Sequence, residues 1–365
     1  FRLWDRFYGT LDWYQTNTDD VAWNAPISYA MSGQTTLAAN SARMRTRGFE
    51  LELGVDIIKT PNTLWSFNVN GSTYYTTILE VPEGTGSAQL NGCWTAPADA
   101  WSIAGTGGTS NNITYLRGIG KPYYNMYIYK YGGVDPASGL PLIASTVSST
   151  NIDNLKKTSG NVYGDIVEGN TVYTTDYTLA TRQEFGDATP DFIGGFGTSL
   201  KWKNLDFSAQ FAFQIGGKFL SVADANHYYR SDQTGYYHMS ADLKGNTFTA
   251  SNTGARYPMV ILNNPNSNGY TGGSTIGSWA YTDMALYSAS YLNVKNLTLG
   301  YNFPQKWMDK IGIGGIRVYA SFDNFWMLTT HKGIDPRMSL VGGMDVGAMA
   351  YPYMRTCSLG VNVTF

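Results

Sequence analysis

Residue types that do covalent chemistry are present in this sequence, but none is spaced to do it. His227, His238 and His331 include no pair at the short spacing of a zinc motif. Asp135 and Asp335 each precede a proline with glycine close by, which makes them turn formers rather than a catalytic carboxylate pair. The runs Gly105-Thr106-Gly107-Gly108 and Gly312-Ile313-Gly314-Gly315 do not open a helix after a strand, as a phosphate-cradling loop must. No Gly-x-Ser-x-Gly elbow, zinc signature or nucleophile constellation occurs, so an enzyme is not expected. The chemistry on offer is that of aromatic surfaces. Trp94, Trp101, Tyr228, Tyr229, Tyr236, Tyr237 and Trp279 stand among polar residues, where sugar rings or peptide side chains could stack on them. Many other tyrosines and tryptophans fall at strand ends, as an interfacial girdle requires.

The elements that would carry these residues are strands. Apolar and polar residues alternate in segments of about ten, the length a tilted strand needs to cross a bilayer. Phe49, Leu51, Leu53, Val55 and Ile57 alternate with Gly48, Glu50, Glu52, Gly54 and Asp56. Trp65, Phe67 and Val69 follow after a short turn at Thr60 to Thr63. Phe196, Leu200 and Trp202 lead through Lys203-Asn204 into Phe207, Ala209, Phe211, Phe213 and Ile215, which reads as a tight hairpin. The opposite face of its second strand carries Asp206, Ser208, Gln210 and Gln214, acceptable to a wet or plugged lumen and not to a dry core. Three strands close the chain: Tyr291 to Tyr301, Ile316 to Phe325 and Arg355 to Phe365, with one or two helical turns expected at Pro304 to Lys310. Connections alternate between short ones and long ones near 76–121, 133–190 and 216–287, the pattern of an outer-membrane barrel with its long loops outside the cell.

Composition agrees with that reading. Only 14% of residues are charged, where a soluble chain carries roughly a quarter. No apolar run reaches the roughly eighteen residues of a membrane helix, so a membrane protein of this composition must cross as a barrel. A net charge of -2 offers no basic footprint for nucleic acid. Cys93, in a polar loop, and Cys357, in the last strand, read as two free thiols. The chain opens on Phe1-Arg2-Leu3-Trp4 without a leader, so further sequence is expected ahead of it.

Several separated stretches carry a family resemblance. They are Phe7 to Tyr14, Arg47 to Leu51, Gly118 to Tyr127 with Gly133 to Gly139, Pro190 to Phe196, Ala289 to Pro304, Arg317 to Asn324 and Lys332 to Pro336. In this order they resemble the C-terminal barrel portion of SusC-like (SusC/RagA) TonB-dependent transporters of the Bacteroidetes outer membrane. The resemblance implies an all-β fold, an antiparallel transmembrane β-barrel of twenty-two strands around a plug, of which this chain supplies a little under half. A half-barrel would leave two unpaired edges in lipid, so the remainder is expected in further sequence or a second chain.

The family's signal, regulatory, TonB-contacting and plug segments precede the barrel and are expected outside this sequence. The implied function is import of oligosaccharides or oligopeptides, with a SusD-like surface lipoprotein as lid and TonB as energy source. Phe365, closing an alternating strand, resembles the signal by which such barrels are recognised for assembly. No residue pattern calls for a cofactor, and calcium on extracellular loops stays open. Two other readings are a passive porin, which a plug would separate from the importer, and a soluble or surface-attached β-rich glycan-binding protein, which detergent-free solubility would favour.

Overall fold

The computed structural model describes residues 1–85, 94–97, 114–146, 171–175, 180–221, 224–225, 240–260, 282–340, 344–345 and 352–365. Eight long strands form its framework: β1 (Phe7–Pro26), β2 (Thr36–Lys59), β3 (Thr63–Glu80), β4 (Pro190–Trp202), β5 (Leu205–Gly216), β6 (Tyr291–Asn302), β7 (Gly315–Thr329) and β8 (Thr356–Thr364). They pair in sequence order, every neighbour antiparallel, and a short stub, Arg2–Leu3, adds to the outer edge of β1. The result is a meander whose two edges, the stub and β8, belong to different ends of the chain.

Turns at one end of the sheet are short. Thr60 closes the β2–β3 turn with mutual backbone bonds to Thr63, and Lys203 joins β4 to β5 in left-handed backbone at φ 50°. The third is a helix, Gln305–Ile311, stopped by Gly312 at φ 68° in the left-handed cap position. The expected closing strands and helix thus appear within a few residues of their sequence limits. At the opposite end the chain makes longer excursions, 27–35, 81–189, 217–290 and 330–355.

Register shows why the alternation matters. Leu51 stands opposite Leu11 on β1, Leu53 opposite Val69 and Val55 opposite Phe67 on β3. Across the sheet Leu200 pairs with Trp65 and Phe207, Phe207 with Leu299, Leu299 with Ala320 and Ala320 with Leu359. One face is therefore apolar from edge to edge, and nothing among the described residues covers it: Trp13 is 68% exposed and Leu359 82%. A bulge between Asp56 and Ile58 makes Ile58 the partner of Trp65, so the apolar face passes to Ile58 rather than continuing through Ile57 as alternation alone predicts.

The longest excursions build a module of their own. Between the expected long connections lies Asn125–Tyr129, which pairs with Arg182–Asp187 and Thr114–Arg117 in a separate four-stranded sheet, so 81–189 is a single excursion. Lys218–Leu220 pairs with Leu286–Ser288 and Met344–Asp345 in another. Tyr115, Met126, Ile128, Ile143, Leu220 and Tyr257 pack into one buried core. The polar loops expected here therefore hold a dry interior, assembled from apolar residues too scattered to give a local period.

Candidate functional site

The second face of the meander is polar and internally hydrogen-bonded. Asn296 Nδ2 donates to Asp323 Oδ1 at 2.7 Å and to Ser321 Oγ at 3.0 Å, and Thr298 Oγ1 donates to Asn296 Oδ1 at 2.9 Å. Ser66 Oγ donates to Asp56 Oδ1 at 2.8 Å. Arg317 forks onto Asp206, Nε to Oδ1 at 3.1 Å and Nη2 to Oδ2 at 2.5 Å, while Asn302 Nδ2 reaches the same carboxylate at 3.2 Å. Such a surface belongs against water or another polar surface, since a dry interior would strand its remaining donors and acceptors.

On this face β1 to β6 frame an open groove of about 610 Å³. Its wall includes Thr10, Asp12, Glu50, Glu52, Asn70, Ser72, Gln214 and Tyr291. Asp12 stands directly opposite Glu50 and Thr10 opposite Glu52, so neighbouring strands bring three carboxylates together. The groove is acidic, and alternation on β2 alone already placed Glu50 and Glu52 on a common face. What sequence reading missed is Asp12, because the pairing of β1 with β2 is a tertiary fact.

Glycines on the polar face make room for tyrosine rings. A Cβ at Gly48 would lie 2.2 Å from the Tyr14 ring, one at Gly54 2.2 Å from Tyr8, and one at Gly360 2.3 Å from Tyr319. Each pair is directly cross-strand. On the apolar face the indole N–H of Trp65 donates to Thr198 Oγ1 at 2.9 Å, which leaves that ring polar-satisfied on an otherwise apolar surface.

The excursion module meets the meander at the long-connection end. Trp23, Ala42 and Ile78 form a small buried cluster there with Met44 and Tyr123 against it. Ile78 N–H donates to Lys121 O at 3.1 Å, and Gly120 N–H to Ile78 O at 2.8 Å. Nearby, Lys121 Nζ contacts both oxygens of Glu184 at 2.8 Å and Asn125 Nδ2 donates to Oε2 at 2.8 Å. Burial opposes ionisation of Glu184, but these bonds outweigh it and hold its carboxyl below the ordinary value. Burial pushes the Asp283 carboxyl up, although its Oδ1 accepts from Tyr131 N–H at 2.7 Å.

Trp94 lies in the strand Trp94–Pro97 of the module, paired with Arg117, and its side chain lies outside the described residues. Trp101, Tyr228, Tyr229, Tyr236, Tyr237 and Trp279 lie outside them altogether, as do His227, His238 and Cys93. Phe365 follows β8 and is 97% exposed, and Cys357 is exposed and free. His331 stacks on Tyr287 with ring centroids 3.8 Å apart, its Nε2 2.7 Å from Asp224 Oδ2. Asp135 is a turn former: its carboxylate accepts from the N–H groups of Ala137 and Ser138 and from the Ser138 hydroxyl. Asp335 accepts the guanidinium of Arg337, whose Nη1 also donates to Asn324 Oδ1 at 3.0 Å. Among the described residues no three His, Cys, Asp or Glu side chains are grouped as metal ligands.

No protein-family model matches the chain. Curated relatives do. TonB-dependent receptor P3 of Formosa agariphila is 25% identical over 98% of this chain and 32% of its own length. TonB-dependent receptor SusC of Bacteroides thetaiotaomicron is 24% identical over 99% of the chain and 30% of its own length. The chain thus spans about a third of the relatives it matches. Among solved structures, the RagAB peptide transporter superposes with a TM-score of 0.69 at 22% identity, covering 99% of this chain and 34% of that one. An apolar face that no described residue covers, a hydrogen-bonded polar face and short turns at a single end thus go with similarity, over almost the whole chain, to TonB-dependent receptors including SusC, and with the fold seen in the RagAB transporter.

Proposed function

We propose that this chain is the C-terminal barrel wall of an outer-membrane importer that takes up oligosaccharides or oligopeptides. The observation that carries the reading is the apolar face running from β1 to β8, which no described residue covers, together with whole-chain similarity to TonB-dependent receptors including SusC. Lipid suits that face, and the polar face then borders the lumen, with the acidic groove as part of its wall. Among the described residues the stub and β8 are unpaired edges, and lipid tolerates none, so in this reading the rest of the barrel joins them.

Short turns lie in the periplasm and the excursion module outside the cell. There a SusD-like lipoprotein caps the barrel, and Trp94, Trp101, Tyr228, Tyr229, Tyr236, Tyr237 and Trp279 are candidate stacking surfaces for substrate. Energy reaches the barrel from TonB through parts of the protein outside this sequence. Phe365 is the assembly signal, and the reading requires no cofactor.

The test is the intact mass of the protein purified from membranes in mild detergent, with everything that copurifies. A polypeptide roughly threefold longer than this chain, partnered by a lipoprotein, is the expected result. A lone short polypeptide would overturn the importer reading; detergent dependence would then indicate a porin and free solubility a glycan binder.

A further inference from the structure

Toward the long connections, the apolar face of β2 turns abruptly basic. Phe49 through Ile58 spans about ten residues, enough for one tilted crossing of the hydrocarbon layer. The next positions on that face are Arg47, Arg45 and Arg43. Arg43 is neutralised, with Nε 2.5 Å from Asp19 Oδ1 and Nη1 3.6 Å from Glu80 Oε2. Arg45 and Arg47 are not. Their Nε groups donate to neutral amide oxygens, Asn17 Oδ1 at 3.2 Å and Gln15 Oε1 at 2.9 Å, and among the described residues neither has a carboxylate within ion-pair distance. Each guanidinium is anchored through Nε while its terminal nitrogens carry no described bond.

Beside them stand exposed aromatic rings. Trp13 pairs with Phe49, and Tyr75 stands opposite Arg47, all on the same face. Rings at a lipid boundary with two forked cations just above them match the chemistry of a phosphorylated lipid. The guanidinium fork takes two phosphate oxygens, and acyl chains lie on the apolar face below.

We infer that Arg45 and Arg47, with Trp13 and Phe49 beneath, form a binding site for the phosphate headgroup of an outer-leaflet lipid. The inference rests on the outer-membrane reading above. It adds a fixed lipid at the β1–β2–β3 wall, held by amides that orient the arginines rather than by carboxylates that would neutralise them.

The test uses the full-length protein in phosphatidylcholine nanodiscs containing lipid A, with bound lipid read by native mass spectrometry after detergent extraction. The wild type is expected to retain lipid A, and Arg45→Gln/Arg47→Gln to retain it roughly thirtyfold less tightly. Lys203→Gln, in a turn at the other end of the sheet, is expected to retain it like the wild type. Equal retention by the wild type and the double variant would overturn the site while leaving the membrane reading intact. Failure of the wild type to insert would overturn both.

Discussion

Arg317 on β7 grips Asp206 on β5 across the whole width of β6, and Gly300 is the residue that lets it do so. A Cβ at Gly300 would lie 2.5 Å from both Arg317 Nη2 and Asp206 Oδ2. Gly300 pairs with Asp206 on one side and Tyr319 on the other, so the ion pair passes directly over a gap in the side-chain layer. Both partners are roughly 30% exposed, which keeps solvent from screening the pair fully.

Gly300→Val should therefore separate Arg317 from Asp206 and cost about 1–2 kcal/mol of barrel stability. The measurement is the heat-modifiable gel shift of the full-length protein against temperature. Arg317→Gln should lower the transition by a similar amount, and combining it with Gly300→Val should add little, because the two act on one contact.

Gly48→Ala should drive Tyr14 off the polar face, since its Cβ would sit 2.2 Å from the ring. The expected outcome is a destabilisation of about 1–3 kcal/mol. A Tyr14→Ser, Gly48→Ala double variant, which removes the clash, should recover part of it in the same thermal assay.

Asp135→Ala removes the carboxylate that accepts from Ala137 N–H and Ser138 N–H in a site 2% exposed. Losing these bonds at a partly buried turn costs about 1 kcal/mol. Limited proteolysis should show faster cleavage around 135–140, with the short-turn end of the sheet unaffected.

Asp283 makes the excursion module sensitive to pH. Its carboxyl titrates above its ordinary value because it is buried, so the folded module binds the proton more readily than the unfolded chain. Stability from this group is thus greatest below the ordinary aspartate range and falls as pH rises through the raised value. Asp283→Asn keeps an acceptor for Tyr131 N–H and should stabilise the module at neutral pH, with the advantage vanishing below about pH 4. Hydrogen exchange of 124–131 at the two pH values measures it.

Legibility in the sequence followed the range of the interactions. The hairpin through Lys203-Asn204, the helix after Pro304 and the strand ending at Thr364 rest on period and turn chemistry, and all are where those signals place them. The bulge at Asp56 to Ile58 was hidden because nothing in the alternation marks one extra residue. Asp206 and Arg317 are 111 residues apart, and only the strand order makes them partners. The module's core joins Tyr115 and Ile143 from one excursion with Leu220 and Tyr257 from another, so no window of sequence contains its pattern. The loop aromatics were singled out by composition, and composition says nothing about where a side chain points.

The central claim, that one face of this meander meets lipid and the other the lumen, is tested most directly at Glu50, Leu51, Glu52 and Leu53. Nitroxide labels would be placed singly at these positions in the full-length protein in liposomes, with Cys93 and Cys357 replaced by serine. Labels at Leu51 and Leu53 should be relaxed by lipid-soluble oxygen, and labels at Glu50 and Glu52 by a water-soluble nickel chelate, in strict alternation. Equal accessibility of all four to the water-soluble reagent would contradict the account.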